Sequence, residues 1–125
     1  MGYINTYKDL IVWQKSFLLV KEIFALTAKF PKSEFYGIVS QMRRCAVSIP
    51  SNIAEGYGRK STKSYIQFYA ISYGSALELE TQVLISKELK FANSDQFEKV
   101  DNLLLEVCKM LNAMITKMKK LETNG

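Results

Sequence analysis

The amino-acid sequence predicts an all-α protein, an antiparallel up-down-up-down four-helix bundle with its second helix kinked near Pro50. Three observations carry that expectation. Apolar residues recur at spacings of three and four in four separate stretches. The breaks between the stretches are short, so successive helices must fold back on one another as neighbours. A chain of 125 residues with 48% hydrophobic residues, only 6 Gly and 2 Pro fits one helical domain, 1–125, better than a turn-rich β sandwich or a disordered chain.

The first helix is expected over about residues 7–29. Thr6 and Asp9 read as a capping box, and Leu10, Trp13, Phe17, Val20, Phe24 and Thr27 follow as an apolar series before Pro31 stops the helix. The second, about 34–56, takes Ser33 as N-cap and places Phe35, Ile38, Met42, Cys45, Ile49 and Ile53 on one side. Pro50 lacks an amide and crowds the carbonyl of Ala46, which predicts the kink; Gly56 and Gly58 end the helix. The third, about 62–90, is capped by Ser61 or Thr62 and carries Tyr65, Tyr69, Ser72, Ala76, Leu79 and Val83 on one seam. The fourth, about 95–121, is capped by Ser94 and keeps its 3-4 alternation from Phe97 through Val100, Leu104, Val107, Leu111, Met114 and Met118 to Leu121. Ile11, Val12, Leu18, Leu19, Phe68 and Ile71 exceed what one four-helix core uses, and homo-oligomerisation is their natural outlet.

Composition narrows the function classes. The chain has no histidine, so Ser-His-Asp and Cys-His nucleophiles and nearly all zinc and di-iron sites are closed to it. Glu55, Glu78 and Glu80 lack the Glu-x-x-His partners of carboxylate metal bundles. No catalytic residue, metal or cofactor is expected, and the chain is read as a non-enzyme. Cys45 and Cys108 lie among apolar neighbours and read as buried thiols in a reducing compartment, with a disulfide as the other reading. The N-terminus shows no charged-then-apolar signal pattern, and no apolar run approaches the roughly 20 residues of a membrane span. A soluble cytoplasmic protein without membrane contact is expected.

The net charge of +5 is local. From Lys29 to Lys63 there are seven cations and two carboxylates, and the rest of the chain balances. In the fourth helix, Asp95, Glu98, Asp101 and Glu106 precede Lys109, Lys117, Lys119 and Lys120, as the helix macrodipole prefers, and need no partner. The third helix does the reverse. Arg59-Lys60-Ser61-Thr62-Lys63-Ser64 puts three cations and three hydroxyls at its N-terminus, which reads either as a phosphate site or as a solvated basic turn. It lacks the first glycine of a nucleotide-binding loop, whose place is taken by Ile53. Tyr57, Tyr65 and Tyr69 near this turn read as core or interface, with base stacking as the other reading.

A polar stripe also runs along the second helix at Gln41, Arg44, Ser48, Asn52, Glu55 and Arg59. It is either a solvated face or a structural polar network. If the second and third helices fold as a hairpin near Arg59, Arg44 meets Gly74 and Ser75, small residues where backbones come close, and Gln41 approaches Glu78. Arg44 and Glu78 can then pair. Gln41, Arg44, Asn52, Glu55, Ser75 and Glu78 are the candidate network.

Four motifs carry a resemblance. Asp9-Leu-Ile-Val-Trp-Gln14, Ser40-Gln-Met-Arg-Arg44, Ser48-Ile-Pro-Ser-Asn-Ile-Ala-Glu-Gly-Tyr-Gly-Arg59 and Gly74-Ser-Ala-Leu-Glu-Leu-Glu-Thr-Gln82 resemble the four-helix-bundle family encoded in intervening sequences of bacterial 23S ribosomal RNA genes. The resemblance implies a four-helix bundle assembled as a ring-like homopentamer. It also implies kinship with the accessory variability proteins of diversity-generating retroelements, basic pentamers that bind nucleic acid and a reverse transcriptase. The family brings no catalytic residues. The expected function is a non-enzymatic homo-oligomer that binds RNA or DNA, with Arg59, Lys60 and Lys63 as the contact residues and Arg43 next. The alternative is an oligomeric scaffold for a protein partner, in which those cations are only solvated.

Overall fold

The computed structural model describes residues 3–124. Four long helices dominate: α1 (Ile11–Thr27), α2 (Ser40–Arg59), α3 (Thr62–Glu88) and α4 (Glu98–Asn124), with no strand among the described residues. Each packs on two others, α1 on α2 and α4, and α3 on α2 and α4. The core lies between them. Its largest wholly enclosed side chains include Leu19 and Ile23 from α1, Met42, Ile49 and Ile53 from α2, Tyr69 and Leu79 from α3, and Leu111 from α4.

The ends of the helices are where local chemistry departs from the expected boundaries. Thr6 and Asp9 do form reciprocal bonds: Thr6 Oγ1 accepts from the Lys8 amide at 2.9 Å, and Asp9 Oδ2 from the amides of Asn5 and Thr6 at 2.9 and 3.2 Å. They cap a single 3-10 turn, Tyr7–Asp9; Leu10 is extended (ψ 126°), and α1 starts only at Ile11. Ser33 does not cap the second helix. The chain passes through a 3-10 turn, Lys32–Glu34, and a π turn, Phe35–Val39, whose Gly37 is non-helical (φ −105°, ψ −113°), before α2 begins. Ser94 is likewise no cap: Asn93 holds the N-cap position of a 3-10 turn, Ser94–Phe97, and Gln96 Oε1 accepts from its amide at 2.9 Å. Ser61 does cap α3, its Oγ accepting from the Ser64 amide at 3.1 Å.

Gly56 and Gly58 do not end α2, which continues to Arg59. The reason is packing. A Cβ built on Gly56 would lie 2.9 Å from Phe68 Cβ, so the missing side chain lets α2 press against α3 through one more turn. Chain reversal falls on Lys60, in the left-handed region at φ 58°. The α2–α3 pairing shifts accordingly. Ser72 Oγ donates to the Ile49 carbonyl at 2.9 Å, Cys45 Sγ to the Ser75 carbonyl at 3.6 Å, and the Ser48 and Ser75 hydroxyls share a 2.9 Å bond. Gly74, expected at a close approach, has nothing within 4 Å of where a Cβ would stand.

Helix α1 buries a different face from the predicted one. Val12, Ser16, Leu19, Ile23, Leu26 and Thr27 are buried, while Phe17 and Phe24 are 48% and 41% exposed. Val12 and Leu19, expected in the surplus, are therefore core; Ile11, Leu18 and Ile71 remain exposed, and Phe68 is half-buried.

Candidate functional site

Four regions bear on function, and the α2–α3 corner is the simplest. Arg59, Lys60 and Lys63 are all exposed there. Arg59 pairs with Glu55 at 3.4 Å and lays its guanidinium over the Phe68 ring, 5.2 Å from the centroid. Among the described residues Lys60 and Lys63 reach no carboxylate within 4.0 Å. Lysine at a left-handed turn position is a costly choice, since a residue with a Cβ loses roughly 1–2 kcal/mol there relative to a right-handed conformation and glycine does not. No acidic side chain occupies the first turn of α3. The nearby tyrosines are occupied by one another: Tyr57, Tyr65 and Tyr69 form a chain of edge-on and tilted rings 6.4 and 5.6 Å apart, and Tyr57 Oη donates to the Ile4 carbonyl at 3.4 Å. Burial pushes the Tyr69 hydroxyl up to about 12.

Arg43 is engaged elsewhere. Its Nε donates to Thr27 Oγ1 at 3.0 Å and Nη2 to the Phe24 carbonyl at 3.4 Å, while the guanidinium covers the rings of Phe24 and Phe35 at 4.6 and 5.6 Å. A cation on the last carbonyls of α1 answers that helix's dipole. Arg43 is thus a clamp between α1 and α2, far from the corner formed by Arg59, Lys60 and Lys63.

The polar stripe is partly drawn together. Gln41, Arg44, Cys45, Ser48, Ser75 and Glu78 line a notch of about 240 Å³ between α2 and α3. Asn52 Nδ2 donates to both the carbonyl and the hydroxyl of Ser48, at 2.8 and 3.0 Å. Arg44 and Glu78 line the notch without an ion pair within 4.0 Å among the described residues: Arg44 Nη2 donates to Ser40 Oγ and Glu78 accepts from Gln82 Nε2, both at 3.5 Å. Glu55 stands apart from the notch on Arg59. Burial, with the charge of Glu78 beside it, pushes the Cys45 thiol up to about 11, so it stays protonated at neutral pH and is no nucleophile.

The fourth region is apolar, and periodicity alone gave only its residues and not its place. Trp13 and Phe17 stack at 5.1 Å between centroids, and with Tyr7, Val20, Val47, Pro50 and Ala54 they line an open groove of about 400 Å³ between α1 and α2. The aromatic series expected in the core forms the wall of this groove. No helix of the described residues is long and apolar enough to cross a membrane.

Comparison with known proteins adds a family. The family model described as 23S rRNA-intervening sequence protein matches residues 8–113. Among solved structures, a protein of unknown function from the S23 ribosomal protein family of Bacteroides thetaiotaomicron is similar over 85% of this chain and 96% of its own, with 22% identity and a TM-score of 0.77. That likeness concerns the fold. No curated protein matches the chain.

Proposed function

This chain belongs to the 23S rRNA-intervening sequence protein family, and from that premise we propose that it is a cytoplasmic, non-enzymatic homo-oligomer, a pentamer, that binds RNA or DNA at the α2–α3 corner. The observation that carries the reading is Lys63, exposed in the first turn of α3, where the dipole disfavours a cation, with Lys60 exposed just before it at the C-cap of α2 and neither within 4.0 Å of a carboxylate among the described residues. A phosphate there would accept from free amides and neutralise both charges. With Tyr57, Tyr65 and Tyr69 committed to one another, the contact is to the sugar-phosphate backbone and has no strong sequence preference. The up-down-up-down course of the helices, with α2 bent near Pro50, belongs to the same reading. The crossed order of the α2–α3 bonds supports its antiparallel part. Kinship with retroelement accessory proteins would add a reverse transcriptase as a further partner.

Filter binding of single-stranded RNA and duplex DNA tests the proposal. Affinity is expected to fall steeply between about 50 and 200 mM salt, as counterion release requires. The Lys60→Gly variant separates charge from fold: it relieves the left-handed lysine and so keeps or raises the melting temperature, yet weakens binding. Absence of binding to either polymer at low salt rejects the reading and leaves the oligomeric scaffold for a protein partner.

A further inference from the structure

We propose that the nucleic-acid surface extends from the α2–α3 corner onto the last turns of α4, so that one end of the molecule, built from two segments distant in sequence, is the polyanion face. This rests on the nucleic-acid reading above and adds residues to the same site. The register between α3 and α4 carries it. Lys87 Nζ lies 2.6 Å from Asp101 Oδ2, and Cys108, whose thiol is raised by burial first and then by charge, has Glu80 of α3 as the carboxylate acting on it. Seven residues back along α3 thus correspond to seven forward along α4. Continued at the same rate, that pairing sets Lys119 level with Tyr69 and the end of α4 beside the first turns of α3.

Helical phase assigns the faces. Asp101, Cys108 and Lys119 fall within about 20° of one line down α4, so Lys119 is on the edge turned to α3. Lys120 points outward beside the exposed Thr116. On α3, Glu80 and Lys87 mark the edge turned to α4; Ile66 is about 40–60° outward from that edge and Lys63 about 100–120°, on the solvent face. Lys63 and Lys119 are then offset by roughly 9 Å along the axis on helices roughly 8–10 Å apart. That separation exceeds the reach of a single phosphate and fits a chain of them.

The charge count agrees. This end holds Arg59, Lys60, Lys63, Lys117, Lys119 and Lys120 against Glu55 and Glu122, while Lys8 and Asp9 cancel. At the other end, Lys29, Lys32, Arg43, Arg44, Lys87, Lys90 and Lys99 meet Glu34, Glu78, Glu88, Asp95, Glu98 and Asp101. The first end therefore carries a surplus of four positive charges and the second a surplus of one. Among the described residues Lys117, Lys119 and Lys120 reach no carboxylate within 4.0 Å. The macrodipole no longer accounts for them, because α4 continues to Asn124 and its last turn contains no cation, whereas the dipole acts mainly within that turn. Exposed residues among the cations include Ser61, Gln67, Asn112 and Thr116, which suit phosphate and sugar, alongside the apolar Leu121.

The test is a charge-reversed double variant, Lys119→Glu with Lys120→Glu, in filter binding of single-stranded RNA over a salt series. Its affinity at low salt is expected to drop by at least about tenfold, and its salt slope to fall by about two. Lys119→Gln with Lys120→Gln replaces it if reversal unfolds the chain. Wild-type binding that the double variant leaves unchanged overturns the extension and leaves the corner intact. A wild type that binds no nucleic acid removes the underlying reading. Binding of anionic phosphatidylserine vesicles in place of RNA overturns the inference in favour of a lipid surface.

Discussion

Three glycines show how differently one residue type can act. Gly56 is buried against Phe68, Gly58 has nothing within 4 Å of its would-be Cβ, and Gly74 is equally open. Gly56→Ala gains helix propensity but forces backbone or side-chain shifts, so a net loss of about 1–3 kcal/mol is expected. Gly58→Ala meets no obstacle and should stabilise by up to about 1 kcal/mol. Thermal melts of the two variants should therefore move in opposite directions; movement in the same direction would contradict the close approach at Gly56. Nothing in the sequence distinguishes these positions, because the distinction lies in the neighbour and not in the glycine. The same holds for Arg43, whose charge is legible while its contacts with Thr27, Phe24 and Phe35 are not.

Helices were legible in proportion to their amphipathicity. In the fourth segment the apolar positions repeat against a polar background, and Phe97, in the turn before α4, with Val100, Leu104, Val107 and Leu111 in α4, is buried as the spacing predicts, whereas Met114 and Met118 are half-buried and Leu121 is exposed. Helix α1 is apolar nearly all round, so two faces compete and only contact with α2 and α4 decides between them. The entry into α2 was hidden for another reason: a 3-10 turn and a π turn with a non-helical Gly37 have no periodic signature. Arg43 ties the elements together by closing the end of α1 from α2. Arg43→Ala should cost about 1–2 kcal/mol through lost hydrogen bonds and cation–π contact, measured by denaturant unfolding, while leaving nucleic-acid affinity within about twofold. A large affinity loss with intact stability would return Arg43 to the binding surface.

At the scale of the whole molecule, large apolar side chains, among them Ile11, Phe17, Leu18, Ile71 and Leu84, are exposed and offer area for association. The α1–α2 groove, with Phe17 stacked on Trp13 at its wall, is where association should act. Light scattering is expected to give about five times the 14.3 kDa protomer mass, and Phe17→Asp to reduce it toward a single protomer. A wild-type protein that stays at protomer mass across concentrations would count against assembly. The unequal charge of the two ends then acquires a geometric meaning. Rotation about a single axis never inverts a subunit, so in a cyclic ring the sideways components of each protomer's charge asymmetry cancel and the axial components add. Any such ring has a head and a tail, and a polyanion can distinguish its two sides before touching either.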